Sequence, residues 1–129
     1  MHKGFLITAC VFGILSVALG AFGAHSLKRI VSPESVAGFE TGVRYQFYHT
    51  LALLAVALIY ERFSNKWVVW SGYSFLIGIV LFSGSLYLLT ALNATNTVGL
   101  RKAGIITPFG GLFFIAGWVL LLTGILKRS

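Results

Sequence analysis

Acidic side chains are nearly missing from this sequence. Of 129 residues, only Glu34, Glu40 and Glu61 carry a carboxylate side chain, and there is no aspartate. None of the three falls inside a predicted span, so a carboxylate proton relay has no members. Cysteine occurs once, at Cys10 inside the first apolar run. It can form no internal disulfide and packs as a small hydrophobe. Proline occurs only at Pro33 and Pro108, and no Pro/Ser-rich linker divides the chain. Charged residues make up 10%, where a soluble domain holds about a quarter. The signatures GxSxG, HExxH, the P-loop and the dinucleotide fingerprint are absent, so no common hydrolase or nucleotide chemistry is indicated and no cofactor is implied.

What is present is apolar surface, at 57% of residues. A chain this short cannot hide that much inside itself, because small domains have too much surface for their volume. The missing solvent is lipid. The formal net charge of +7 would suggest nucleic acid in a soluble protein. Here the cations flank apolar runs, which points to lipid headgroups and topology signals and away from nucleic acid.

Four apolar segments cover about residues 4–27, 43–60, 68–92 and 107–126, and a helix needs about 20 apolar residues to cross about 30 Å of hydrocarbon. Backbone groups in lipid must be satisfied within the segment, so the spans are helices. The expectation is one all-α domain over residues 1–129, an integral membrane antiparallel four-transmembrane-helix bundle. The second segment reaches spanning length only if it takes in Arg44 or earlier residues. Ahead of it, Ser32 and Pro33 read as an N-cap and first-turn proline, and Val36, Phe39 and Val43 recur at helical spacing. This predicts a short interfacial helix between spans one and two. The brief connection Glu61–Lys66 makes spans two and three neighbours, and Tyr60, Trp67 and Trp70 mark a membrane–water interface there. Thr107 and Pro108 open the fourth span. Lys3, an apolar run and the small residues 20–24 also resemble a signal peptide, but the run is long and its small residues recur at helical spacing.

Small residues predict where helices touch. Gly110, Gly117 and Gly124 recur every seventh residue in the fourth span, as do Ser71, Gly78 and Ser85 in the third. Gly13 and Gly20 do so in the first, with Ser16, Gly20 and Ala24 at every fourth position. Such seams join helices within a protomer or between copies, and a homo-oligomer is expected. The side holding both termini carries Lys3, Arg62, Lys66, Lys127 and Arg128, and the opposite side Lys28, Arg29, Arg44, Arg101 and Lys102. Counting Arg44 as intramembrane leaves the termini side more positive, which predicts cytoplasmic termini.

The segment 39–54, FETGVRYQFYHTLALL, brings the most costly groups to a span. At about 100° per residue, Arg44, Tyr45, Tyr48, His49, Ala52, Ala55 and Val56 share one face, predicted to point inward. Phe47, Leu51, Leu54 and Leu58 form the predicted lipid face, and Gln46 falls nearer Thr50, facing another neighbour. Glu40 stands four residues before Arg44, the favourable order for an interfacial ion pair. Arg44 then snorkels beside it. His49 lies deeper, and satisfying it through Tyr45 or a neighbouring carbonyl competes with a proton-carrying role. His25 ends the first span on the same side as the entrance to the second, where Tyr87, Thr90 and Thr107 complete a candidate pocket for a ligand or solute. Two histidines fall short of a zinc site, so no metal is expected. Trp118, deep in the fourth span, reads as packing or lipid contact.

The stretches LGAFGAHSLK (19–28), FETGVRYQFYHTLALL (39–54), LFSGSLYLL (81–89) and ITPFGGLFFIAGWVLLL (106–122) together resemble the domain-of-unknown-function 423 family of small bacterial membrane proteins, to which a eukaryotic group, transmembrane protein 256, looks related. The resemblance implies a four-span protein of a bacterial plasma membrane and no established activity. His25, Arg44, Tyr45, Gln46 and His49 lie in its motif positions, with no role attached. Two functional classes follow. One is a non-catalytic structural or accessory protein that binds lipid or a protein partner of unknown identity. The other is a small channel or transporter for an anion, proton or small solute through the pocket near His25, Arg44 and His49.

Overall fold

The computed structural model describes residues 1–95 and 104–127. Its helices are α1 (Lys3–Ala24), α2 (Pro33–Ile59), α3 (Lys66–Gly78), α4 (Gly84–Ala94) and α5 (Ile106–Leu126), with a short 3-10 turn at Leu27–Arg29. Residues Ile79–Ser83 form a π-helical turn that joins α3 to α4 as one rod. No strand occurs among the described residues. The sequence expectations for Arg101, Lys102 and Arg128 lie outside them.

Local chemistry sets the helix ends. Ser32 Oγ accepts from the Ser35 N–H at 3.3 Å ahead of Pro33. Asn65 Oδ1 accepts from the Trp67 and Val68 amides at 3.1 and 3.2 Å, capping α3. Its Nδ2 donates to the Gly124 carbonyl at 2.9 Å, so the same residue ties the start of α3 to the end of α5. His2 Nδ1 accepts from the Phe5 amide at 3.1 Å, while the His2 N–H donates to Ala57 O at the far end of α2. The residues expected to form a separate interfacial helix are the first turns of α2, which runs unbroken for 27 residues. Thr41, Gly42 and Val43 at the expected junction are weak helix formers, yet the helix runs through them, with Tyr87 and Leu86 of α4 packed on Gly42.

Three stretches are long and apolar enough to cross a membrane: Lys3–Arg29, Lys66–Ala94 and Ile106–Leu126. The polar first half of α2, with Glu34, Glu40 and Arg44, sets it apart from them. Successive rods pack antiparallel. Gly23 meets Phe39 at one end of the α1–α2 pair and His2 meets Ala57 at the other. Gly110, Gly117 and Gly124 meet Phe82, Phe75 and Val68 in turn. Helix α1 packs on α2, α2 on the α3–α4 rod, and that rod on α5. One core joins Phe5, Leu53, Val56, Val68, Phe75 and Leu121, and a second, nearer the start of α2, holds Leu27, Val36 and Phe39. Outward faces remain apolar, with Ile14 69%, Val17 67% and Ile115 63% exposed, as a lipid-facing surface requires.

The seven-residue seams of the third and fourth segments lie inside the protomer, while Ala24 of the every-fourth ladder is exposed. A Cβ on Gly110 would stand 2.3 Å from the Phe82 backbone nitrogen, on Gly117 2.5 Å from the Phe75 ring and on Gly124 2.5 Å from Val68. One on Gly78 would stand 2.4 Å from the Phe114 ring. Gly13 and Gly20 face Thr50 and Val43 of α2 more loosely. These contacts use within one chain the small-residue faces on which the expectation of a homo-oligomer rested.

Candidate functional site

The buried face of α2 is not the one its polar residues suggest. Of the expected inward face, His49, Ala52 and Val56 are buried, together with Gly42, Gln46 and Leu53, whereas Arg44, Tyr45, Tyr48 and Ala55 are exposed. This is a rotation of about 100°, one residue's turn, from the expected face. Two causes are visible. The α4 side demands a residue without a side chain, because a Cβ on Gly42 would stand 3.0 Å from the Tyr87 ring. Tyrosine and arginine, with apolar bodies and polar tips, tolerate the outer face by reaching for the interface. Phe47, Leu51 and Leu58 are exposed as expected, while Leu54 is half-buried.

Gln46, set aside from the site by helical position, is its centre. It is 3% exposed. Its Nε2 donates to the Phe12 carbonyl of α1 at 3.0 Å, and its Oε1 accepts from the Tyr87 hydroxyl of α4 at 2.6 Å. Ser16 Oγ donates to the same Phe12 carbonyl at 2.7 Å. One neutral amide thus ties three helices without bringing a charge into the interior, where an unpaired charge is most costly. One turn toward the start of α2, Ser83 Oγ of the π turn donates to the Gly42 carbonyl at 2.6 Å. Thr50 Oγ1 is buried without a hydrogen-bond partner among the described residues.

His49 occupies a second polar point, between α2 and α5. The Trp118 indole N–H donates to its Nε2 at 3.1 Å, and its Nδ1 stands 2.9 Å from the Tyr45 carbonyl. An acceptor at Nε2 places the proton on Nδ1, so both bonds are satisfied by one neutral tautomer. The ring stacks on Phe114 at 3.6 Å between centroids and 8° between planes. Tyr45 stacks on Phe82 beside it, and Phe75 closes the other edge. A lateral groove of about 430 Å³ runs along this cluster, walled by Tyr45, Phe82, Gly111, Phe114 and Trp118. Its lining is aromatic and aliphatic, and both nitrogens of His49 are already bonded.

The other expected residues do not converge here. His25 is the exposed C-cap of α1. Gly13 lies level with Thr50, so the intervening turns of α1 put His25 about 18 Å from the level of His49. Tyr87 belongs to the Gln46 junction, Thr90 Oγ1 donates to its own helix at Leu86 O, and Thr107 shares a hydrogen bond with Ser85. Glu40 and Arg44 form no ion pair; the one among the described residues joins the Met1 ammonium to Glu61. No three metal-binding side chains come together among the described residues. Sequence reasoning missed Gln46 as a tether and Trp118 as a donor. The available signal for Trp118 was an indole N–H in the middle of an apolar helix, where water is not at hand to accept from it.

Helices of this length and apolarity, with polar side chains paired off between them, define a multi-pass helical membrane protein. The family model described as Protein of unknown function (DUF423) matches residues 19–111, and the chain belongs to that family. Among its relatives, the UPF0382 inner membrane protein YgdD of Escherichia coli K12 is 42% identical over 95% of this chain and 88% of its own length. A UPF0382 membrane protein of Haemophilus influenzae is 44% identical over 100% of this chain and 98% of its own. One from Staphylococcus haemolyticus is 40% identical over 97% of each. No solved structure matches the chain.

Proposed function

We propose that this protein is a non-catalytic, four-span accessory protein of the bacterial plasma membrane, with α2 as the fourth span. The observation that carries this reading is the engagement of His49: both ring nitrogens are bonded and one ring face is covered by Phe114. The group best suited to move a proton is held as a structural strut. At 27 residues, α2 is about 40 Å long, enough for its polar first turns to lie at the interface and the remainder to cross about 30 Å of hydrocarbon. The relatives' names, including an inner membrane protein of Escherichia coli, support the location.

Purified protein in liposomes tests the reading. Proton, anion and small-solute flux is expected to equal that of empty vesicles. A flux that falls in His49→Ala while the fold survives establishes a channel or transporter instead. Cytoplasmic termini are part of the proposal. In a Cys10→Ser, Ser35→Cys variant, an impermeant thiol reagent is expected to label from outside, and labelling only after lysis reverses the orientation. Self-association would have to use faces other than the glycine seams. Monomer both in detergent and after crosslinking in membranes rejects it.

A further inference from the structure

Glu40 is one of three carboxylates in the chain, and it is half-buried. Its methylene stem lies against α1, with Cγ 3.9 Å from where a Cβ on Gly23 would stand. Among the described residues it pairs neither with Arg44, one turn along, nor with Lys28. Yet Glu40 and Lys28 line one cleft of about 310 Å³, whose remaining walls are Val31, Pro33, Val36 and Ala37. Opposite charges that share a cleft without closing on each other suit a ligand carrying both signs in the reverse order.

The depth of the cleft narrows the ligand. Lys28 directly follows the apolar run of α1, within the stretch Lys3–Arg29 that can cross a membrane. On the four-span reading, on which this inference rests, the cleft opens at the level of phospholipid headgroups, away from the termini. A phosphoethanolamine headgroup carries a phosphate for Lys28 and a primary ammonium, with N–H donors, for Glu40. Charge-assisted hydrogen bonds of both kinds are then available at once. A choline headgroup has the positive charge but no N–H, and a phosphoglycerol headgroup has no positive charge at all. The apolar walls suit the start of the acyl region below. We propose that the Lys28–Glu40 cleft is a phosphatidylethanolamine headgroup site.

The test uses the full chain in detergent, offered equal amounts of phosphatidylethanolamine, phosphatidylcholine and phosphatidylglycerol with identical acyl chains, with bound lipid read by native mass spectrometry. The wild type is expected to retain phosphatidylethanolamine several-fold over the other two. Glu40→Gln, near-isosteric, should bring that retention down to the phosphatidylcholine level while helix content and melting temperature hold. Lys28→Gln should lower all three lipids, and Glu34→Gln, on the outer surface of the same helix, should change nothing. Equal retention of the three lipids by the wild type overturns the proposal. So does a preference for phosphatidylglycerol, or a phosphatidylethanolamine preference that survives Glu40→Gln. The wild-type comparison decides even if a variant fails to fold. Solute flux through liposomes would overturn the accessory reading and leave this lipid preference standing. Absence of the preference leaves the accessory reading standing.

Discussion

The Trp118 indole on α5 donates to His49 Nε2 on α2 across 3.1 Å, between residues 69 positions apart in sequence. His49→Phe keeps a ring to stack on Phe114 but strands the indole N–H, and the loss is expected to be about 1–3 kcal/mol. Combined with Trp118→Phe, a double-mutant cycle should give a coupling of roughly 0.6 kcal/mol and no more than about 1.7 kcal/mol, the range of interhelical hydrogen bonds in membranes. Reversible unfolding in mixed micelles measures both, and zero coupling would show that the bond contributes nothing.

The Gln46 tether should respond in graded fashion. Tyr87→Phe removes one donor and leaves the Phe12 contact, for a cost of about 1 kcal/mol. Gln46→Leu fills similar space but breaks both interhelical bonds and leaves the Tyr87 hydroxyl buried without its acceptor. It is expected to be the more destabilising change, and the ranking is read from the same unfolding curves.

Glycine substitutions should act in opposite directions according to what the new methyl meets. At Gly110 it would meet the Phe82 backbone at 2.3 Å, which cannot yield as a side chain does. Gly110→Ala therefore pushes α5 from the π turn, at an expected cost of about 1–3 kcal/mol. Gly84 is helical, with nothing within 4 Å of the new atom. Gly84→Ala is expected to stabilise by about 0.5–1 kcal/mol. Melting temperatures of the two variants should fall on opposite sides of the wild type.

The Met1 ammonium, hydrogen-bonded to Glu61 and attracting it, holds that carboxyl below its ordinary value of 4.5. A carboxyl depressed in the folded state contributes stability above its unfolded value and loses it as pH falls through the lower folded one. Both partners are exposed, so the effect is local and small. Hydrogen exchange at the first amides of α1 should quicken on acidification below about pH 4.5 relative to a variant already lacking the pair. Glu61→Gln should exchange faster at neutral pH and show a flatter acid dependence.

Close approach was legible in the sequence because it leaves a composition. Where Phe82, Phe75 and Val68 press on α5, only glycine fits, and the seven-residue rhythm records it. The inward face of α2 was not legible in the same way. Arg44, Tyr45 and Tyr48 outweigh Gln46 in any count of polarity, yet they face outward and Gln46 inward. A polar side chain's direction depends on whether its tip can reach water or a partner, and helical spacing does not encode the partner. His25 and His49 illustrate the same limit. Both were assigned to the same side of the membrane, but only their depth along the rods shows that they stand apart.

The π turn at Ile79–Ser83 acts as a phase shifter. Before it, Gly78 packs on Phe114 of α5; within it, Ser83 bonds Gly42, and after it Tyr87 bonds Gln46, both on α2. A π turn holds one residue more than the α-helical path around it, so the rod is indexed differently on its two sides. Deleting one residue there would swing Tyr87 about 100° away from Gln46. The third rod thus changes its main neighbour along its length, α3 packing chiefly on α5 and α4 chiefly on α2, with the extra residue of the π turn between them.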